Sequence, residues 1–149
     1  MSKLYAIETF YNKCRFRSRL EARWAVFFDS LGIQWDYEKE GFELPTDRYL
    51  PDFFLPKQQC WIEIKGTEPN GIELALLREL VDATEFDAFL FSGKPNDAKC
   101  WAALWDGSES FFAEDRQWAR CHHCKATRPV LHGATEKLYG QMASLSRMA

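Results

Sequence analysis

Between Leu20 and Leu31 apolar residues recur at helical spacing. Leu20, Trp24, Phe27, Phe28 and Leu31 share one face, and Gly32 supplies a stop. The pattern predicts an amphipathic helix opening near Ser18. Further along, the period shortens to two: over residues 60–65, Trp61, Glu63 and Lys65 project to one side of a strand while Cys60, Ile62 and Ile64 project to the other. Residues 49–55 read as another strand. The short Pro56-Lys57-Gln58-Gln59 connection folds it back as an antiparallel neighbour, which lets Asp52 lie across from Glu63. A second helix starts after Asn70, a cap residue, with Ile72, Leu76, Leu77, Leu80 and Val81 on its buried side. The apolar run 88–93, closed by Gly93 and Pro95, suits a buried strand parallel to its predecessor, with the second helix as the crossover.

These elements predict an α/β fold with a mixed central sheet flanked by helices. Residues 1–95 are expected to form the core. Residues 96–149 are expected to form a β-rich C-terminal extension packed on it. Trp101, Trp105, Phe111, Phe112 and Trp118 lie in runs broken by Asp106-Gly107, which suggests an appended hairpin.

Composition narrows the class. With 149 residues, 46% of them hydrophobic and 15% aromatic, the chain can bury one ordinary core and is not a disordered tail. No stretch of about 18 apolar residues is present, and the residues after Met1 do not begin a signal peptide, so no membrane partner is expected. Five cysteines, an odd number, without an export signal point to a reduced cytoplasmic protein. A net charge of -3 argues against a strongly basic, non-specific nucleic-acid binder.

Candidate chemistry begins with Asp52, Glu63 and Lys65. Magnesium prefers oxygen ligands and takes only one or two carboxylates from a protein, so Asp52, Glu63 and the backbone carbonyl of Ile64 would meet its demand, with manganese as a substitute. The plainer reading is a strand with a solvated, charged face. Glu21 lies three residues before Trp24 and seven before Phe28, which turns it towards the sheet as a third acid. Ser18-x-x-Glu21 is equally a capping box, in which Glu21 would only satisfy the Ser18 backbone N–H. Lys13, Arg15, Arg17, Arg19 and Arg23 concentrate positive charge at the start of the first helix. They could dock a DNA backbone beside the acids, or simply solvate the outer edge of a strand and helix.

The order helix-Glu21, strand-Asp52, strand-Glu63-x-Lys65, then a helix, resembles the PD-(D/E)XK nuclease superfamily, the fold of restriction endonucleases. Within it, residues 16–33, Tyr37-Glu38, residues 40–44 and residues 49–53 are similar to small nucleases of bacteriophages and mobile elements, and to the endonuclease subunit of some heteromeric transposases. The resemblance covers about the first two thirds of the chain and implies a restriction-endonuclease-like core. It also implies a magnesium-dependent endodeoxyribonuclease in DNA processing, recombination or repair, with Glu21, Asp52, Glu63 and Lys65 as its catalytic residues and products bearing 5′-phosphate ends. DNA is the implied partner, with a recombination, transposition or replication protein as a second one. A nuclease subunit active only inside such a complex and a catalytically idle DNA-binding module are the alternatives.

The tail carries a separate candidate. Cys121 and Cys124 are spaced as half of a zinc site, with His132 as a third ligand and His122 or His123 as a fourth. No second cysteine pair completes the set. The alternative is a reduced turn before Pro129, and the zinc-ribbon tail found in related nucleases would be incomplete in this chain.

Overall fold

The computed structural model describes residues 7–113 in full and, beyond them, the backbone of three strands. The chain opens with a hairpin, β1 (Thr9–Tyr11) and β2 (Cys14–Phe16), turned by Asn12 and Lys13 at positive φ. Then come α1 (Arg19–Ser30), β3 (Asp36–Tyr37), β4 (Phe42–Glu43), β5 (Arg48–Tyr49), β6 (Phe53–Leu55) and β7 (Cys60–Lys65). They are followed by α2 (Gly71–Thr84), β8 (Asp87–Ser92), β9 (Lys99–Trp105) and β10 (Ser110–Ala113). The last three strands, β11 (Arg116–Cys121), β12 (Thr127–Leu131) and β13 (Met142–Ser144), form their own antiparallel sheet with β11 in the middle.

A six-stranded mixed sheet in the order β10-β9-β8-β7-β6-β3 is the centre of this α/β fold. Its one parallel pair is β7 with β8, and α2 is the crossover between them, as the sequence predicts. The expected hairpin forms as β9 and β10. It is not an appendage, because β9 pairs with β8 along residues 99–103 and buries Ala102 and Ala103.

Each helix covers one face of the sheet. On the α1 face Trp24, Phe27, Phe28 and Leu31 pack with Phe16, Phe53, Ile62 and Ile64. On the other, Leu77, Leu80 and Val81 of α2 pack with Trp61, Ala88 and Leu90. The strict alternation along β7 is what divides Ile62 and Ile64 from Trp61. Burying each of these large side chains contributes roughly 1.5–3 kcal/mol. Ile72 does not join them; it is 61% exposed, and the buried stripe of α2 starts at Leu76.

The run 49–55 divides in two rather than forming one strand. Tyr49 pairs with Phe42 in the β4–β5 hairpin, while Phe53 to Leu55 enter the central sheet opposite residues 60–62. Pro51 explains the break, since a residue with no N–H cannot donate to a ladder and restricts the residue before it.

Candidate active site

Continued by one step, the β6–β7 register that sets Phe53 against Ile62 brings Asp52 opposite Glu63. Both side chains lie on the face away from Ile62 and Ile64, and both are buried, at 3% and 7% exposure. Asp52 Oδ2 accepts the Ile64 N–H at 2.7 Å. Glu63 Oε2 accepts from the Tyr49 hydroxyl at 2.5 Å. The division of 49–55 therefore has a function in the geometry: it lets Tyr49 leave the sheet and return its hydroxyl to the acid.

Burial, the charge of Glu63 and the charge of Glu21 hold the Asp52 carboxyl well above the ordinary carboxylate range. Glu63 is also raised by burial, although the Tyr49 hydroxyl and the Lys65 ammonium oppose the shift. Both carboxyls are thus disfavoured in their charged forms, and they titrate as a pair. A buried pair of this kind calls for a cation.

Lys65 supplies part of that charge. Its Nζ lies 3.7 Å from Glu63 Oε1 and 3.5 Å from Glu73 Oε1. Glu73 stands in the first turn of α2 and also completes a capping box: the Asn70 side chain accepts the Glu73 N–H, and Glu73 Oε2 accepts the Asn70 N–H. One carboxylate thus ties the start of α2 to Lys65. The Lys65 carbonyl in turn accepts the Gly93 N–H at 2.9 Å, while the Gly93 carbonyl accepts from the Trp24 indole at 3.0 Å. Gly93 has a φ of +109°, a conformation that side-chain-bearing residues rarely adopt.

Glu21 is buried at the start of α1. Ser18 caps the helix by accepting the Glu21 N–H, but the Glu21 carboxylate accepts from the Tyr37 hydroxyl at 2.5 Å. The Tyr37 oxygen itself accepts the Arg17 N–H at 3.1 Å. Burial and the bond to Glu21 push the Tyr37 phenol well above its usual range, so it remains a donor. Of the two readings of Ser18-x-x-Glu21, the cap is made by Ser18, and the carboxylate is directed to Tyr37.

The basic residues have different partners. Arg17 pairs with Glu38 and reaches within 3.9 Å of Asp52 Oδ1. Arg15 pairs with Glu8, and Lys13 occupies the β1–β2 turn. Arg19 and Arg23 line a separate groove on the outer side of α1. The sequence reading gave no site role to Tyr37, Tyr49, Glu38 and Glu73, since a tyrosine or an acid in a short strand or first turn carries no local signal of its tertiary partner.

Among the described residues no group of three or more His, Cys, Asp and Glu side chains is arranged to hold a metal ion. The site is thus a carboxylate pair with Glu21 beside it. That donor set still fits magnesium, which takes one or two protein carboxylates and fills its remaining positions with water or phosphate oxygens. Of the zinc candidates, His122, His123, Cys124 and His132 lie outside the described residues, as does the side chain of Cys121. No described helix is long and apolar enough to cross a membrane. The chain matches no protein-family model and no curated protein.

Proposed function

We propose that this chain is a nuclease of the PD-(D/E)XK type that hydrolyses DNA phosphodiester bonds with magnesium, or manganese in its place. The observation that carries the reading is the buried Asp52–Glu63 pair, with Lys65 3.7 Å from Glu63. A strand with a merely solvated charged face would not bury two repelling acids, because desolvation disfavours their charged forms. Asp52, Glu63 and the Ile64 carbonyl would hold the ion, whose chemistry is to neutralise phosphate charge and to acidify a water.

The protein's own groups perform the rest. Lys65 donates to a phosphate oxygen or to the attacking water, countering charge that develops in the transition state. The carboxylates of Glu63 and Glu73 on either side of it hold its ammonium in place. Tyr49 and the Ile64 N–H fix the two carboxylates, so the pair need not reorganise on binding. Glu21 adds a third acid at the edge of the site, held by Tyr37. Arg17, bridging Glu38 and Asp52, offers the nearest guanidinium to an incoming phosphate. The biological setting we propose is the processing of phage or mobile-element DNA, with products ending in 5′-phosphate.

The direct test is incubation of purified protein with duplex, branched and single-stranded DNA plus magnesium or manganese. Cleavage that is lost in both Asp52→Ala and Lys65→Ala supports the reading. Unchanged cleavage in those variants removes it.

A further inference from the structure

The outer side of α1 carries a second feature, a groove of about 360 Å3 between the helix and the β1–β2 hairpin. Phe10, Tyr11 and Val26 supply its apolar lining, with Arg19 and Arg23 beside them. Phe10 is 74% exposed and Val26 46%, so a ring face and an aliphatic side chain are open to a ligand. The Arg15 guanidinium stands 5.9 Å from the Phe10 ring centroid. Arg19 and Arg23 are one helical turn apart, where like charges repel. Unlike Arg15 and Arg17, neither has a carboxylate within ion-pair distance among the described residues.

An exposed ring beside two uncompensated guanidiniums suits one ligand chemistry: a flat apolar group attached to an anion. A nucleotide released from its base pair has that form, because its base can stack on the ring while its phosphate lies between the arginines. A base inside a duplex does not offer its face. Arg17, which reaches Asp52, and Arg19, which lines the groove, are separated only by Ser18, so their Cα atoms lie within roughly 8 Å. Arg17 is thus the residue that links the groove to the acid pair along the chain.

We propose that the Phe10–Arg19–Arg23 groove binds an unpaired nucleotide, making the preferred substrate a DNA with a single-stranded segment next to its cleavage position. The proposal rests on the nuclease reading for its place in catalysis, but binding can be measured without it. The experiment uses the full chain in EDTA and fluorescein-labelled oligonucleotides: a duplex with a single-stranded overhang and a blunt duplex of equal length. Wild type is expected to bind the overhang at least about tenfold more tightly. Phe10→Ala, and separately Arg19→Gln with Arg23→Gln, should each weaken overhang binding about fivefold or more and blunt-duplex binding by clearly less. Phe10→Trp should retain the preference, which guards against a mere folding defect. Equal affinity of wild type for the two DNAs overturns the proposal, as does an equal loss on both in the variants, or an oligoglutamate peptide competing as well as the overhang. Strand-selective binding by a chain that cleaves no DNA would keep the groove and remove the catalytic reading. Cleavage without selectivity would do the reverse.

Discussion

Tyr37 donates its hydroxyl proton to Glu21 Oε2 at 2.5 Å, and by doing so turns a first-turn glutamate away from the helix end it could have capped. Ser18 makes the cap alone. Stability and activity should therefore separate at these two neighbours. Ser18→Ala is expected to cost about 1 kcal/mol, the usual value of a lost N-cap, with cleavage largely kept. Glu21→Gln should keep the Tyr37 bond and most of the stability while lowering cleavage at least about tenfold. Urea unfolding and initial cleavage rates on both variants check this, and wild-type rates in Glu21→Gln would leave Glu21 without a chemical role.

The acid pair sets a pH dependence. Asp52 and Glu63 are both raised in the folded chain, so folding takes up protons that the unfolded chain has released. Their contribution to stability is most favourable below the unfolded carboxylate value, near 4, and is lost as pH rises through the higher folded values. In metal-free protein, Asp52→Asn should melt at a higher temperature than wild type at neutral pH, because the amide can accept the Ile64 N–H and donate to Glu63 without charge. That advantage should shrink towards pH 4. Melting curves across this range decide it, and an advantage that does not vary with pH would contradict the raised carboxyl pair.

Glu73 holds two roles that one substitution can divide. Glu73→Gln can still complete the capping box with Asn70 but loses the ion pair with Lys65. We expect an unchanged melting temperature, a severalfold fall in kcat with KM nearly constant, and no further fall when the change is made in Lys65→Ala. Additive losses in the double variant would mean that Glu73 does not act through Lys65.

Gly93 closes the far end of the site through its backbone. Gly93→Ala would place a side chain at φ +109°, with Ala98 Cα 3.6 Å from the new Cβ. A loss of roughly 1–3 kcal/mol is expected from the strain. Because Gly93 N–H holds the Lys65 carbonyl, cleavage should fall beyond what the lost stability explains. Chemical denaturation and rates at a temperature well below melting separate the two effects.

What could be read in the sequence is what local periodicity encodes. Trp24, Phe27 and Phe28 recur at helical spacing, Gly32 takes the positive φ that ends α1, and the alternation of residues 60–65 sends Glu63 and Ile62 to opposite faces, so two helices and the central strands were legible. The Asp52–Glu63 juxtaposition followed from one short turn. The hydroxyls of Tyr37 and Tyr49 were not legible, because their partners lie 16 and 14 residues away and only tertiary folding brings them together. The partners of the basic residues were not legible for a related reason. Their spacing in the chain says that they are near one another, but the β1–β2 turn and the start of α1 send Arg15, Arg17 and Arg19 to different neighbours.

The central claim is that the Asp52–Glu63 pair with Lys65 is built to cut DNA with a dication. The most direct measurement compares magnesium-dependent cleavage of an overhang-bearing duplex by wild type and by Asp52→Asn. Asp52→Asn changes one atom of the pair and should be at least as stable. The account predicts cleavage by wild type that requires the cation and is reduced by orders of magnitude in Asp52→Asn. Equal cleavage by both proteins, or none by wild type with magnesium or manganese on any DNA form, would contradict it.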